Sequence, residues 1–290
     1  MKALFEGSGV ALVTPFRDGK LDLPAFDALV QRQLAAGTDA LVVLGTTGEP
    51  NSLTAAEKAL LVDHAVRLAA GKAQVIAGAG GNCTESVIDD ALMAQQLGAD
   101  AILSVTPYYV KCGDDGLHAH YTAIADALAI PVILYNVPSR TGVNLKPEVA
   151  AALVEHPNIR GVKEASGDYP QIAAMIEKLR GRANVYCGSD ELNQTMLAMG
   201  AKGVISVTAN VAPGEVKRLC DAALHGNVAE AARLQAALEP LNTALFLAGN
   251  PTPVKAALAE MGLIAPEYRL PLVAPRPGIM EKIRTVLPKT

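Results

Sequence analysis

The chain has 290 residues, of which 50% are hydrophobic and 19% are charged, and its formal net charge is −4. This composition excludes an intrinsically disordered chain, and the lack of a basic run argues against a nucleic-acid partner. No window approaches the roughly 20 uninterrupted apolar residues that a membrane span requires. The four cysteines are far apart in the sequence and form no CxxC pair. We therefore expect a cytoplasmic protein with reduced thiols and no membrane partner.

Short runs rich in Val, Ile and Ala recur along the first 225 residues and alternate with segments of helical spacing. The runs are "GVALVTP", "DALVVLG", "QVIAGAG", "AILSVTPYY", "PVILYNVP", "IRGVKEAS", "NVYCGSD" and "GVISVTAN". They are nearly continuous in apolar character, which is typical of parallel strands covered on both faces. Eight strand–helix units in this length predict an α/β protein, an eightfold parallel β/α (TIM) barrel.

The helical segments carry recognisable start signals. Thr54, with Glu57 three residues later, predicts a capping box, and Thr84 is a candidate cap for the next helix. After Ala223 a helical tail begins that falls outside the eight units. We predict a catalytic barrel over residues 1–225 and a C-terminal helical region over residues 226–290 that packs on the barrel.

Polar residues cluster where the predicted strands end, the face at which β/α barrels carry their chemistry. One of them is Lys163 in "GVKEAS". Alternation along the strand places Ile159, Gly161, Lys163 and Ala165 on one face, so small residues leave space around the amine. Desolvation lowers the pKa of an amine and exposes the nucleophile that a Schiff base needs. The alternative is a strand-end lysine that reaches solvent or pairs with Glu164.

The ends of the fifth and second predicted strands add further candidates. Tyr135 can relay a proton, and Arg140 in "YNVPSRTG" can grip a carboxylate with two parallel hydrogen bonds. "GTTGEP" places Thr46 and Thr47 beside exposed backbone N–H groups, which suits a small carboxylate. A packed core tyrosine, a solvated arginine and an ordinary turn remain the structural alternatives. The sequence has no metal-ligand spacing and no nucleophile elbow.

Five strings together resemble the dihydrodipicolinate synthase family, which belongs to the pyruvate-dependent class I aldolases that include N-acetylneuraminate lyase. They are "GTTGE" at 45–49, "TPYY" at 106–109, "YNVPSRTG" at 135–142, "GVKEASG" at 161–167 and "GVISVTAN" at 203–210. The resemblance covers nearly the whole chain, in order. It implies condensation of pyruvate with L-aspartate 4-semialdehyde to 4-hydroxy-tetrahydrodipicolinate, in lysine and diaminopimelate biosynthesis.

The resemblance also implies a role for each matching residue. Lys163 would form the Schiff base with pyruvate. Tyr135, Thr47 and Tyr109 would relay protons, with Tyr109 reaching into a neighbouring subunit's site. The substrate-binding residues would be Thr46 and Thr47 for the pyruvate carboxylate, Arg140 for the carboxylate of the aldehyde, and Gly188 and Ile205 along the pocket. The resemblance further implies a homotetramer, a dimer of dimers, without metal or organic cofactor.

Some positions depart from the pattern of family members that L-lysine inhibits. Those members carry an acidic residue at the position of Ser86, and often histidines at the positions of Ala55 and Lys58. Ser86 cannot pair an incoming ammonium group, and Lys58 would repel it. We therefore expect weak inhibition by L-lysine or none. The loop "KCGDDG" after Tyr109 also departs from the commoner pattern.

Three alternatives stay open on sequence alone. A sugar-acid aldolase or lyase of the same superfamily shares the Lys–Tyr pair but generally lacks an arginine like Arg140. A pyridoxal-phosphate enzyme also uses a lysine imine, although "CGSDELN" and "SVTANVAPG" are poor phosphate-binding loops. A catalytically inactive binding protein is the third, and the joint presence of Lys163, Tyr135 and Thr47 argues against it.

Overall fold

Eight parallel strands close into a barrel at the centre of the computed structural model, which describes residues 4–288. The strands are β1 (Gly7–Ala11), β2 (Phe16–Arg17), β3 (Lys20–Leu21), β4 (Ala40–Val43), β5 (Gln74–Gly78), β6 (Ala101–Val105), β7 (Val132–Asn136), β8 (Ile159–Glu164), β9 (Asn184–Cys187) and β10 (Gly203–Ser206). β10 pairs with β1 to close the barrel, whereas β2 and β3 form a separate antiparallel ribbon. The predicted eightfold barrel is confirmed, and the ribbon is an element that the sequence pattern did not indicate.

Helices connect the barrel strands and continue beyond the last of them. Those in the described part of the chain are α1 (Leu23–Ala35), α2 (Ala55–Ala69), α3 (Thr84–Gln96), α4 (Asp114–Asp126), α5 (Pro138–Thr141), α6 (Pro147–Leu153), α7 (Tyr169–Leu179), α8 (Asn193–Met199), α9 (Pro213–Leu224), α10 (Val228–Leu245), α11 (Thr252–Glu260) and α12 (Pro277–Val286). Within residues 4–288, none of them has the length and apolar character needed to cross a lipid bilayer.

The helix starts confirm one predicted cap and correct the other. Thr54 and Glu57 form the predicted capping box at the start of α2. Thr84 does not cap α3, because it is already the first helical residue and Cys83 occupies the cap position. The hydroxyl of Thr84 is instead engaged by Nδ1 of His120 on α4, at 2.9 Å.

Two aromatic rings fill the end of the barrel at which the strands begin. Phe5 stacks on Tyr186 with the ring centroids 4.3 Å apart, and the Tyr186 hydroxyl donates to the Phe5 carbonyl at 3.2 Å. Burial raises the pKa of Tyr186 well above its usual range, so the phenol stays neutral. The stacked rings therefore close the barrel interior at this end.

Strand β8 carries Lys163. Ile159, which was predicted to share a face of this strand with Lys163, lies on the opposite face. The pairing of β7 with β8 shifts register between Val132 and Ile133, so that Ile159 pairs with Val132 and packs in the outer layer of the core. A register shift inserts an unpaired residue and breaks the two-residue alternation. The prediction that Ile159 shares a face with Lys163 is therefore wrong, whereas Ala165 packs against the inner cluster as predicted.

The C-terminal helices follow the barrel directly. α10 packs against α9, and α12 contacts both α10 and α11. The division into a barrel at 1–225 and a helical region at 226–290 stays a prediction, and residues 1–3, 289 and 290 of those ranges lie outside the described residues.

Candidate active site

A cavity of about 730 Å³ opens at the carboxyl end of the barrel. Its walls come from the loops after β4, β5, β6 and β7, together with residues between α10 and α12. Four predicted site residues line this cavity: Thr46, Tyr109, Tyr135 and Arg140. The barrel thus brings together side chains from three separate motifs at the face where such folds bind substrates.

Lys163 lies directly behind the Tyr135 wall of the cavity. β7 and β8 pair Tyr135 with Lys163, and Nζ of Lys163 lies 4.4 Å from the centroid of the Tyr135 ring. The lysine side chain is only 5% exposed, so it does not reach bulk solvent. A buried lysine without a carboxylate is costly for a protein to keep, which marks this residue as a functional candidate.

The neighbouring Glu164 does not neutralise Lys163. Glu164 accepts hydrogen bonds from Nδ2 of Asn136 at 3.0 Å and from the backbone N–H of Ser166 at 2.7 Å. Burial raises the pKa of Glu164, although these hydrogen bonds oppose the shift. Glu164 therefore belongs to a polar cluster on the outer face of β8, and the alternative in which it pairs with Lys163 is wrong.

Gly188 leaves room for the lysine stem. A Cβ atom at this position would lie 2.9 Å from Cε of Lys163 and 2.8 Å from Cβ of Ala165, closer than side-chain carbons pack. Ile205 is fully buried in the barrel interior, in the same apolar cluster as Tyr135. Within residues 4–288, these two predicted pocket residues lie beneath the cavity wall rather than on it.

The turn after β4 presents one threonine to the cavity and buries the other. Residues Thr46–Gly48 form a short 3₁₀ turn in which Thr47 is 2% exposed. The Thr47 hydroxyl oxygen accepts a hydrogen bond from Nδ2 of Asn250 at 2.9 Å. Because that bond uses an oxygen lone pair, the hydroxyl proton of Thr47 remains available for donation elsewhere.

Strained backbone conformations occur on both sides of this turn. Leu44 and Glu49 both adopt left-handed backbone angles, with φ of 58° and 55°. Each costs an L-residue about 1–2 kcal/mol relative to the right-handed region. Gly78 on β5 permits the close approach of the Leu44 backbone, since a Cβ atom there would collide with the Leu44 carbonyl. Strain of this kind persists only where surrounding contacts hold it in place.

The predicted site residues that are exposed to solvent, Arg140 and Tyr109, lie at the rim of the cavity. Arg140 lies on the short helix α5 and is exposed. Tyr109 is 87% exposed, with a left-handed φ of 74°, and its backbone N–H donates to the Thr141 carbonyl at 3.3 Å. Val110 beside it is also exposed. An aromatic and an aliphatic side chain thus project together from the rim.

Sequence reasoning missed the residues that the C-terminal region contributes. Asn250 and Arg269 line the cavity beside Glu49, and Lys255 on α11 contacts Glu49 from behind. A signal for Lys255 was present, because it is a lysine inside the apolar segment "TPVKAALAE", the same anomaly that marks Lys163. Its partner lies 206 residues away in sequence, which no local pattern can indicate.

The surroundings of Lys58 correct one expectation about inhibition by L-lysine. Nζ of Lys58 lies 2.6 Å from Oδ2 of Asp90, so its charge is already neutralised. The expectation that Lys58 repels an incoming ammonium group is therefore weakened by this ion pair. The case against strong L-lysine inhibition now depends on Ser86, which supplies no carboxylate.

Comparison with known proteins decides the family. A model described as the dihydrodipicolinate synthetase family matches residues 4–289. The chain belongs to this family. The five sequence motifs were therefore sufficient to predict the family, and the predicted resemblance is confirmed.

Relatives in the dihydrodipicolinate synthetase family align along almost the entire chain. The 4-hydroxy-tetrahydrodipicolinate synthase of Thermodesulfovibrio yellowstonii is 46% identical over 284 residues, 98% of each chain. The crystal structure of dihydrodipicolinate synthase from Thermotoga maritima has a TM-score of 0.96 and 42% identity, and the match covers 98% of this chain and 97% of that one. The chloride-inhibited dihydrodipicolinate synthase from Acinetobacter baumannii, complexed with pyruvate, has a TM-score of 0.95 and 43% identity over 97% of both chains.

Proposed function

We propose that this protein is a 4-hydroxy-tetrahydrodipicolinate synthase that condenses pyruvate with L-aspartate 4-semialdehyde on Lys163. The observation that carries the proposal is the buried amine of Lys163 against Tyr135, at the foot of a cavity lined by Thr46 and Arg140. The names of its relatives support the same reaction. The product belongs to lysine and diaminopimelate biosynthesis.

The first half of the reaction forms a covalent adduct with pyruvate. The Lys163 amine attacks the keto carbon, and loss of water from the resulting carbinolamine gives an iminium ion. The iminium accepts electrons from the adjacent methyl group, which loses a proton and becomes an enamine. Tyr135, whose ring lies beside the amine, would move these protons. A positioned acid or base of this kind contributes about 10²–10⁴-fold to the rate.

The second half joins the two substrates and releases the enzyme. The enamine carbon attacks the aldehyde carbon, and the aldehyde oxygen takes up a proton to become a hydroxyl. The amino group of the former semialdehyde then attacks the iminium carbon, closes the ring and expels the Lys163 amine. The balance is one pyruvate and one semialdehyde consumed, with one ring product and one water formed.

The two substrate carboxylates fit different parts of the cavity. The turn that carries Thr46 and Thr47 offers hydroxyl and backbone N–H donors to the carboxylate of pyruvate. Arg140, at the exposed rim, offers a guanidinium fork to the carboxylate of the second substrate. Gly188 and Ile205 shape the apolar floor around the adduct. This arrangement needs no metal or organic cofactor in the proposed reaction.

The proposal includes a homotetramer of two tight dimers in the cytoplasm. Tyr109 supports the dimer, because an aromatic side chain that is 87% exposed at a cavity rim is well placed to enter a second copy's site. In the proposed relay, Tyr109 passes protons between Tyr135, Thr47 and solvent across that interface. The four free cysteine thiols support a reducing compartment.

A direct comparison of two reactions tests the proposed function. Purified protein is incubated with pyruvate and L-aspartate 4-semialdehyde, and the condensation product is followed by mass spectrometry. A parallel sample receives N-acetylneuraminate, and released pyruvate is measured with lactate dehydrogenase. We expect condensation in the first sample and no pyruvate in the second. Pyruvate release without condensation would favour the sugar-acid lyase, and a visible chromophore in the purified protein would favour a pyridoxal-phosphate enzyme.

A further inference from the structure

A second buried lysine lies next to the cavity and forms an ion pair there. Nζ of Lys255 is 2.5 Å from Oε1 of Glu49, and the two side chains are 1% and 2% exposed. Burial raises the pKa of Glu49 and lowers that of Lys255, because both charges have lost their water. A buried ion pair is a weak source of stability, since desolvation offsets much of the attraction. Stability alone therefore does not explain why this pair is buried next to the cavity.

Glu49 is the residue that ends the strained turn. Its backbone N–H donates to the Thr46 carbonyl at 3.2 Å, and its carbonyl accepts from the backbone N–H and the hydroxyl of Ser52, each at 3.0 Å. A displacement of the Glu49 side chain would therefore be transmitted to Thr46 through the backbone. Oε2 of Glu49 has no hydrogen-bond partner among the described residues, so Lys255 contributes most to stabilising this carboxylate, and Arg269 contributes less.

Lys255 is itself held rigidly. Its amine lies 4.2 Å from the centroid of the Phe16 ring and 5.3 Å from that of Tyr268. Ring faces at these distances attract an ammonium group and leave it no path to solvent. The position of the Lys255 amine relative to Glu49 is therefore fixed by its packing.

Two further contacts reach the same turn from the C-terminal region. Asn250 donates to Thr47, and the Arg269 guanidinium donates to the Ser52 carbonyl at 3.0 Å. The segment from residue 250 to residue 269 thus contacts residues 47, 49 and 52, along the whole length of the turn. Lys255 occupies the middle of this set.

We infer that Lys255 is a positioning residue for the reaction, which acts through Glu49 to hold Thr46 and Thr47 in the geometry that binds the pyruvate carboxylate. This inference rests on the proposed function, since it assigns pyruvate to that turn. Without Lys255 the buried Glu49 carboxylate keeps only the weaker stabilisation from Arg269, so we expect the turn to shift toward water and the donors of Thr46 and Thr47 to lose their arrangement. The loss falls on pyruvate binding and adduct formation rather than on the barrel.

Three variants and one matched control test the inference. Lys255→Met keeps the side-chain length without the charge, Glu49→Gln removes the opposite charge, and the double variant leaves no charge buried. Lys217→Met is the control, because Lys217 on α9 also pairs with two carboxylates, Asp221 at 2.7 Å and Asp39 at 3.2 Å, away from the cavity. For each protein, the KM for pyruvate, the kcat and the rate of borohydride-trapped adduct formation are measured well below its melting temperature.

We expect Lys255→Met to raise the KM for pyruvate and slow adduct formation by about tenfold or more, equivalent to roughly 1.4 kcal/mol of lost binding. Lys217→Met should leave both unchanged, even where it lowers the melting temperature. If Lys255→Met does not fold, the double variant decides, since it restores charge balance but not the contact. Folded variants that form the adduct at the wild-type rate would overturn the inference, whereas wild-type protein without any adduct would overturn the proposed function instead.

Discussion

Lys163 and Tyr135 are paired directly across β8 and β7, with the lysine amine 4.4 Å from the centroid of the tyrosine ring. A carboxylate in this position would hold the amine as an ammonium group, which cannot attack a carbonyl carbon. The ring provides an apolar wall, and its hydroxyl provides a group that can exchange protons. The register of two neighbouring strands therefore places the proposed nucleophile, Lys163, beside its proposed proton carrier, Tyr135.

Tyr135→Phe removes the hydroxyl and keeps the ring against the lysine. We expect kcat to fall by about 10²–10⁴-fold, because proton transfer loses its positioned group. The melting temperature should change little, since the ring still packs in the barrel interior. Steady-state kinetics and thermal unfolding check both statements. A kcat close to that of the wild type would show that the phenol carries no proton in the slow step.

Gly188→Ala places a methyl group where the lysine stem now lies. Because the new Cβ would approach Cε of Lys163 to 2.9 Å, the lysine must turn away from Tyr135 or the strand end must shift. We expect slower adduct formation with pyruvate in a folded protein. Gly214→Ala is the matched control, since its Cβ meets nothing within 4 Å at the start of α9. Equal adduct rates in the two variants would contradict the crowding argument.

The ion pair between Glu57 and Arg269 predicts a pH-dependent contribution to stability. Hydrogen bonds from Arg269 lower the pKa of Glu57 from 4.5 to about 2 in the folded protein. A carboxyl whose folded pKa is depressed stabilises the fold above its unfolded pKa, and this contribution is lost as the pH falls through the folded pKa. The stabilisation is thus complete near neutral pH, falls as the pH drops below about 4.5, and is fully lost only below about pH 2.

Glu57→Gln isolates that charge, because glutamine can still serve in the capping box. We expect the variant to be less stable than the wild type at pH 7, with a difference that shrinks steadily as the pH falls toward about 2, as measured by urea unfolding across the range. Glu281→Gln, at an exposed position of α12, is the control and should show no such convergence. A stability difference for Glu57→Gln that is constant with pH would refute the assignment of this ion pair.

L-Lysine is expected to inhibit weakly or not at all. Ser86 on α3 offers no carboxylate to an incoming ammonium group, and the Asp90 carboxylate already pairs with Lys58. Initial rates at increasing L-lysine concentration measure this directly, and Ser86→Glu is expected to increase the sensitivity. Half-inhibition of the unmodified enzyme at sub-millimolar L-lysine would contradict the expectation.

Local sequence patterns were sufficient to predict the barrel and to single out Lys163 as the candidate for covalent chemistry. Continuous apolar runs marked the eight barrel strands, and a lysine at the end of one of them marked Lys163. The orientation of Ile159 was predicted wrongly because a register shift between two strands leaves no trace in either strand alone. The predicted cap at Thr84 was also wrong. The hydroxyl of Thr84 contacts His120 on the next helix, a tertiary contact that the local pattern does not indicate.

The contacts behind the threonine turn were beyond sequence reasoning. Asn250 and Thr47 are 203 residues apart, and Lys255 and Glu49 are 206 apart. Such pairs exist only because closure of the barrel brings the C-terminal region back over the loop after β4. A charged residue in an apolar helix signals that a partner exists, but the fold alone determines which residue it is.

Borohydride reduction in the presence of pyruvate tests the covalent mechanism most directly. The wild-type protein and Lys163→Ala are each incubated with pyruvate, reduced, digested and mapped by peptide mass spectrometry, with circular dichroism to show that both are folded. The mechanism proposed for this protein predicts one adduct, on Lys163, and none in Lys163→Ala, which should also lack turnover. An adduct on another lysine, Lys255 included, or no adduct in the wild type would contradict it.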